Sequence, residues 1–158
     1  MITIYTDGAA KGNPGRGGYG TVLMADVNGK HHRKELSEGY RMTTNNRMEL
    51  LAVIRGLQIL KKEGSKVTIY SDSKYVVEAV EKGWIWNWQK KGFKGKKNVD
   101  LWQAFIPLYR KHEVKFIWVK GHAGIPENER CDQLAVAAAE GADLKVDEGY
   151  ENANQSMF

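Results

Sequence analysis

Cysteine occurs once in this sequence of 158 residues, at position 131. That excludes an internal disulfide and a zinc site built on several thiolates. Histidine is scarce as well, with two of its four residues adjacent at His31 and His32, so no His/Cys cluster has metal-ligand spacing. No apolar run approaches the roughly 18 residues of a membrane span. The opening MITIYTDGAAKGN lacks the basic-then-apolar pattern of a secretory signal. Acid is in shorter supply than base, 19 residues against 24, giving a net charge of +5 and a pI near 9.2. These shortages predict a reducing, cytoplasmic compartment, no membrane contact and a mild preference for a polyanionic partner.

What remains is an ordinary globular composition, 42% hydrophobic and 27% charged, long enough for one domain with a sizeable core. Residues 1 to 7 alternate and are rich in β-branched and aromatic side chains, as a strand requires. GAAKGNPGRGG reads as a loop, YGTVLMADV as a second strand, NGK as a hairpin turn and 31 to 41 as the returning strand. At 46 to 62 the period becomes helical, with Leu50, Val53, Ile54, Leu57 and Leu60 on one stripe. A strand KVTIYS, a helix from DSKYVV, a helix over 98 to 112 kinked by Pro107, a strand VKFIWV and a helix opening at Pro126 follow. The order β-β-β-α-β-α-α-β-α predicts an α/β domain over 1–143. Its mixed sheet would have five strands, three antiparallel and then parallel ones, flanked by helices. Residues 144–158 would form a flexible polar tail.

Asp7 follows ITIYT and Asp72 follows VTIYS, each at the end of an apolar strand. On parallel neighbouring strands the two carboxylates would share the sheet edge at which open α/β sheets bind ligands. Separately each has a structural reading: Asp7-Gly8 suits a turn and Asp72 suits a helix N-cap. The shared I-Y-[TS]-D pattern favours chemistry. Glu49 lies in the first helix, where N-R-M-E resembles a capping box with Asn46 as cap, yet it borders the apolar stripe and reaches toward the same edge. Asp132 stands about 100° from the stripe of Cys131, Leu134, Ala135 and Ala138. Four converging carboxylates repel one another unless protonated or joined by a cation. An all-oxygen set suits Mg²⁺, and two ions about 3.5–4 Å apart can serve phosphodiester hydrolysis.

His122, in the loop KGHAGIPEN, has a near-neutral intrinsic pKa suited to proton transfer. A surface role is the alternative reading for it and the expected one for His31 and His32. KGWIWNWQKKGFKGKKN, residues 82 to 98, holds six Lys, Trp84, Trp86, Trp88 and Phe93, and no acid. Lysines neutralise phosphates while aromatic faces pack on sugars or bases. Trp86 or Trp88 would belong to the core.

YTDGAAKGNPGRGG, TTNNRMELLA, YSDSKYV, KNVDLW and WVKGHAGIPENERCDQLA, in this order, resemble the signatures of ribonuclease H, type 1, over about residues 1 to 150. The resemblance implies a ribonuclease H-like fold and an endonuclease that cuts the RNA strand of RNA–DNA hybrids, leaving 5′-phosphate and 3′-hydroxyl ends. It implies Asp7, Glu49, Asp72 and Asp132 as ligands of two Mg²⁺, with Mn²⁺ as a substitute, and His122 as a mobile aid to proton transfer or product release. Asn13, Asn45 and Asn46 match minor-groove contacts, and Thr44 and Asn98 a pocket for a DNA-strand phosphate. Trp84 matches a residue of the DNA channel, and 82 to 97 a basic protrusion including Lys90, Lys91 and Lys94. Lys74 takes a place often uncharged near the RNA backbone. Met42 stands where an Arg is frequent, with Arg41 beside it on the opposite strand face, and the protrusion is short. A monomer recruited by a single-strand DNA-binding protein is the expected context. A non-catalytic nucleic-acid binding module would explain the protrusion but not four acids. DNA-cutting relatives share the acids but not TTNNRME or GHAG.

Overall fold

In a computed structural model that describes residues 1–155, the strands β1 (Ile2–Lys11), β2 (Gly15–Val27) and β3 (Lys30–Thr43) form the expected antiparallel meander. The stretch expected as a loop is mostly strand. Ladder pairing of β1 with β2 continues to Lys11↔Arg16, and only three residues separate the end of β1 from the start of β2. The glycines that suggested a loop serve packing instead. A Cβ on Gly18 or Gly20 would overlap the backbone of the last long helix at Ala135 or Cys131, so the helix can lie close only over bare strand.

Strand β4 (Lys66–Ser71) pairs parallel with β1, ending at Thr6↔Ser71, and β5 (Glu113–Trp118) pairs parallel with β4. A sixth strand, β6 (Leu144–Lys145), meets β3 at Gly39 and Tyr40, so the sheet runs β5-β4-β1-β2-β3-β6. The expected count of five omitted β6 because two residues carry no readable alternation.

Helix α1 (Asn45–Gln58) covers one face, where Thr21 Oγ1 donates to the Ala52 carbonyl over 2.8 Å. Helix α5 (Pro126–Glu140) covers the other, against Gly20. Helices α2 (Lys74–Glu81), α3 (Trp84–Lys90) and α4 (Val99–Arg110) complete the α1 side. The main core joins Ile4, Val53, Ile54, Leu57, Ile69, Val76, Trp102, Phe105 and Phe116. Pro107 lies inside α4 without breaking it. Both Pro107 and its i−4 neighbour Gln103 face solvent, so water can take the freed carbonyl.

Two caps differ from the sequence reading. Thr44, not Asn46, caps α1, its Oγ1 accepting from the Arg47 N–H at 3.3 Å. Ser73, not Asp72, caps α2 by accepting from the Val76 N–H at 3.3 Å. Both corrections release a functional candidate from structural duty. Residues 144–155, expected as a loose tail, carry β6 and helix α6 (Glu148–Gln155); 156–158 lie outside the described residues. No helix among the described residues is long and apolar enough to cross a membrane.

Candidate active site

The parallel partner β4 stops at Ser71 while β1 continues, which leaves a step in the sheet where Asp7 and Asp72 stand side by side. Glu49 reaches this step from α1 and accepts a short hydrogen bond from the Gly8 N–H, which also donates to Asp7 Oδ1 at 2.9 Å. Asp7, Glu49 and Asp72 can each bring a carboxylate oxygen within 4.8 Å of the others. Asp132 lines the same cleft, of about 390 Å³, but stands outside this tight trio. His122 lines it too, exposed at the rim on a left-handed backbone (φ 57°). Asn45, Asn46 and Lys74 complete the cleft's functional lining.

Burial is the first cause that lifts Asp7, to about 7; the charges of Asp72 and Asp132 add to it, against lowering bonds from Glu49 and the Gly8 N–H. Glu49 is likewise raised well above its ordinary value, first by burial and then by Asp7. No basic group forms an ion pair with the trio among the described residues. Buried carboxylates that repel, lack a cationic partner and offer only oxygen fit a hard divalent cation. Burial also keeps the nearby Cys131 thiol protonated, with Asp7 reinforcing the effect, so it supplies no thiolate nucleophile.

A larger groove of about 700 Å³ adjoins the start of α1. It brings together Asn13, Thr44, Asn46 and Asn98, with Lys96 and Lys97 on its rim. Asn13 Oδ1 accepts from the Asn45 N–H at 3.1 Å, fixing the β1–β2 turn to the helix start. Asn98 has φ 61° and donates through Nδ2 to the Tyr75 hydroxyl at 3.0 Å. Met42 is exposed, while Arg41 makes a bidentate ion pair with Glu151 on α6, both bonds at 2.9 Å. Arg41 is therefore committed to Glu151 and does not stand in for the arginine expected at position 42.

The aromatic and basic stretch divides its labour. Trp86 and Trp88 are half-buried and pack edge-on or tilted against Tyr109 and Trp102, so both serve the core. Trp84 is 45% exposed and lines a third hollow with Lys74, Lys96 and Lys97. Lys90, Lys91 and Lys94 are exposed and line none of these hollows.

Sequence reasoning missed Arg47, Asp147 and Trp118. Arg47 is 3% exposed and ion-paired to Asp100 and Asp147. Its position three residues before Leu50, on the apolar stripe, was the available signal. Trp118 donates from Nε1 to the Asp72 carbonyl at 3.1 Å, and the Lys74 ammonium lies 5.0 Å from its ring centroid. Only the parallel register reveals that proximity.

The RNase H family model matches residues 1–140. A ribonuclease H of Desulforamulus reducens is 58% identical, over 92% of each chain. Ribonuclease HI of Synechocystis sp. is 50% identical, over 94% of each. Among solved structures, LC9-RNase H1 superposes with a TM-score of 0.79 at 31% identity, covering 99% of this chain and 81% of that one. LC11-RNase H1, solved in complex with RNA/DNA hybrid, gives 0.64 at 28%, covering 88% and 96%. By this match across nearly its whole length, the chain belongs to the ribonuclease H family.

Proposed function

We propose that this chain is a metal-dependent endoribonuclease that hydrolyses the RNA strand of RNA–DNA hybrids, leaving 5′-phosphate and 3′-hydroxyl ends. The observation that carries the reading is the unpaired trio Asp7, Glu49 and Asp72 at the step in the sheet, in a family with a member solved on a hybrid. Mg²⁺ is the proposed ion, with Mn²⁺ able to substitute. Divalent ions held there, when bound, polarise a phosphoryl oxygen and lower the pKa of a water.

The trio would hold the ions, and Asp132, which lines the same cleft from α5, would add a fourth carboxylate. Glu49 is fixed by the Gly8 N–H, so its carboxylate is positioned before substrate arrives. His122, at the exposed rim, accepts or delivers a proton as product leaves.

Substrate choice falls to the adjoining groove. Side-chain amides of Asn13, Asn45 and Asn46 can both donate and accept, as recognition of 2′-hydroxyls in a wide minor groove requires. Thr44 and Asn98 hold a phosphate of the uncut strand, and Trp84 lies against its sugars. Lys74, Lys90, Lys91 and Lys94 supply charge along the backbones. We extend the reading to a cytoplasmic monomer that a single-strand DNA-binding protein recruits to its substrate.

Labelled RNA–DNA hybrid, double-stranded RNA and double-stranded DNA, each with Mg²⁺ or with chelator, test the proposal. Cutting is expected for the RNA strand of the hybrid alone, and only with Mg²⁺. Cleavage of DNA, or a hybrid left intact with Mg²⁺, overturns it.

A further inference from the structure

The groove of about 700 Å³ has a wall that neither the sequence reading nor the proposed reaction assigns. Gly149, Tyr150 and Ala153, from the last described element, line it together with Thr44 and Asn46. That element is anchored through one guanidinium. Arg47 donates to Asp100 through Nη1 at 2.8 Å and Nη2 at 2.7 Å. It donates to Asp147 through Nε at 2.8 Å and Nη2 at 2.9 Å. Nη1 also reaches Asn98 Oδ1 at 3.4 Å. A planar fork with every direction occupied fixes its partners' orientation as well as their distance.

Asp147 does more than pair. It accepts from Thr43 Oγ1 at 2.7 Å, the residue before the α1 cap. It also accepts from the Tyr150 N–H at 3.2 Å, and its own carbonyl accepts from the Glu151 N–H at 2.8 Å, which starts α6. Gly149 allows the close seating: a Cβ there would overlap the Asp100 carboxylate and come within 2.7 Å of Arg47 Nη2. Asn98 is held at both ends of its amide, by Arg47 and by Tyr75, while its backbone takes the left-handed conformation. Among the described residues none of these bonds ends on the carboxylate trio, although Tyr75, at the far end of the chain of contacts, also lines the cleft.

We propose that the segment Asp147–Ala153 belongs to the hybrid-binding machinery, with Asp147 a positioning residue that acts through Arg47 to set Asn98 and to close the far wall of the groove on the uncut strand. The inference rests on the proposed hybrid cleavage. Its signature is a loss of substrate binding with chemistry and metal binding intact, because none of the lever's bonds among the described residues ends on a carboxylate of the cleft.

The test is steady-state cleavage of hybrid by Asp147→Asn and Gly149→Ala, each assayed far below its own melting temperature and paired with Asn98→Ala. KM is expected to rise about tenfold in either variant, with kcat and the half-saturating Mg²⁺ concentration within about twofold of the wild type. Adding Asn98→Ala to Asp147→Asn should raise KM by much less than it does in the wild type, since both act on one amide. If Asp147→Asn fails to fold, Gly149→Ala, which retains every charge, is read by the same criteria. An unchanged KM in a folded variant, or effects of Asp147→Asn and Asn98→Ala that multiply independently, overturns the proposal. A wild type that does not cut hybrid defeats the underlying function instead, so the two failures are distinct.

Discussion

Replacing Asp7 by Asn should raise the stability of the ion-free protein while ending its chemistry. Asp7 is 7% exposed and its carboxyl is lifted from 3.8 to about 7, by burial first and then by neighbouring acids. An acid with a raised folded pKa keeps its proton in the folded chain where the unfolded chain has released it. Its stabilising contribution is therefore whole below about pH 4, declines as the pH rises to about 7 and stays lost above that. At about 1.4 kcal/mol per pH unit, the cost at pH 8 is of the order of 4 kcal/mol. Glu49 titrates in the same site and takes a share, so we expect the substitution alone to recover at least about 2 kcal/mol. At about 2–4 °C per kcal/mol for a chain of this size, Asp7→Asn should melt at least about 4–8 °C above the wild type at pH 8 in chelator. The gap should close toward pH 4, and saturating Mg²⁺ should narrow it at pH 8 by stabilising the wild type more. Thermal unfolding followed by circular dichroism at pH 4, 6 and 8 measures this directly. A variant that melts at or below the wild type at pH 8 in chelator, or a gap independent of pH, would refute the electrostatic reasoning.

Replacing Lys90, Lys91 and Lys94 together with Ala should weaken hybrid binding and flatten its dependence on log salt by about 2–3; an unchanged slope would remove the protrusion from the binding surface. Ser73→Ala should cost about 1 kcal/mol through the lost α2 cap, read as a melting-temperature fall of about 2–4 °C. No loss at all would mean that Asp72 takes over as the cap.

The acids were legible because they rest on short-range pattern. Two near-identical strand endings place Asp7 and Asp72, and helical period places Glu49 and Asp132 beside their stripes. The caps were misassigned because several adjacent residues were chemically eligible. Thr44, Asn45 and Asn46 can all accept at a helix start, and the backbone dihedrals of Thr44 decide among them. The C-terminal elements were illegible for a different reason. Asp147 is polar and sits in a polar segment, yet it is 7% exposed because its partner lies 100 residues away. Local composition indicates a solvated tail; only the long-range ion pair makes it a wall.

Strand β6 covers β3 only at Gly39 and Tyr40, which among the described residues leaves the outer edge of Lys30–Glu38 open. An open edge is a template on which a second molecule can add a strand. Here the edge carries Lys30, Arg33 and Lys34, beside His31 and His32, followed by Glu35 and Glu38, with Arg33 paired to Glu35. In antiparallel edge-to-edge pairing, a second copy centred on Lys34 would set Lys30 opposite Glu38 and Arg33 opposite Glu35, so opposite charges meet as well as like ones. The short β6 therefore leaves self-association at this edge to the balance of these charges, which reach furthest at low salt.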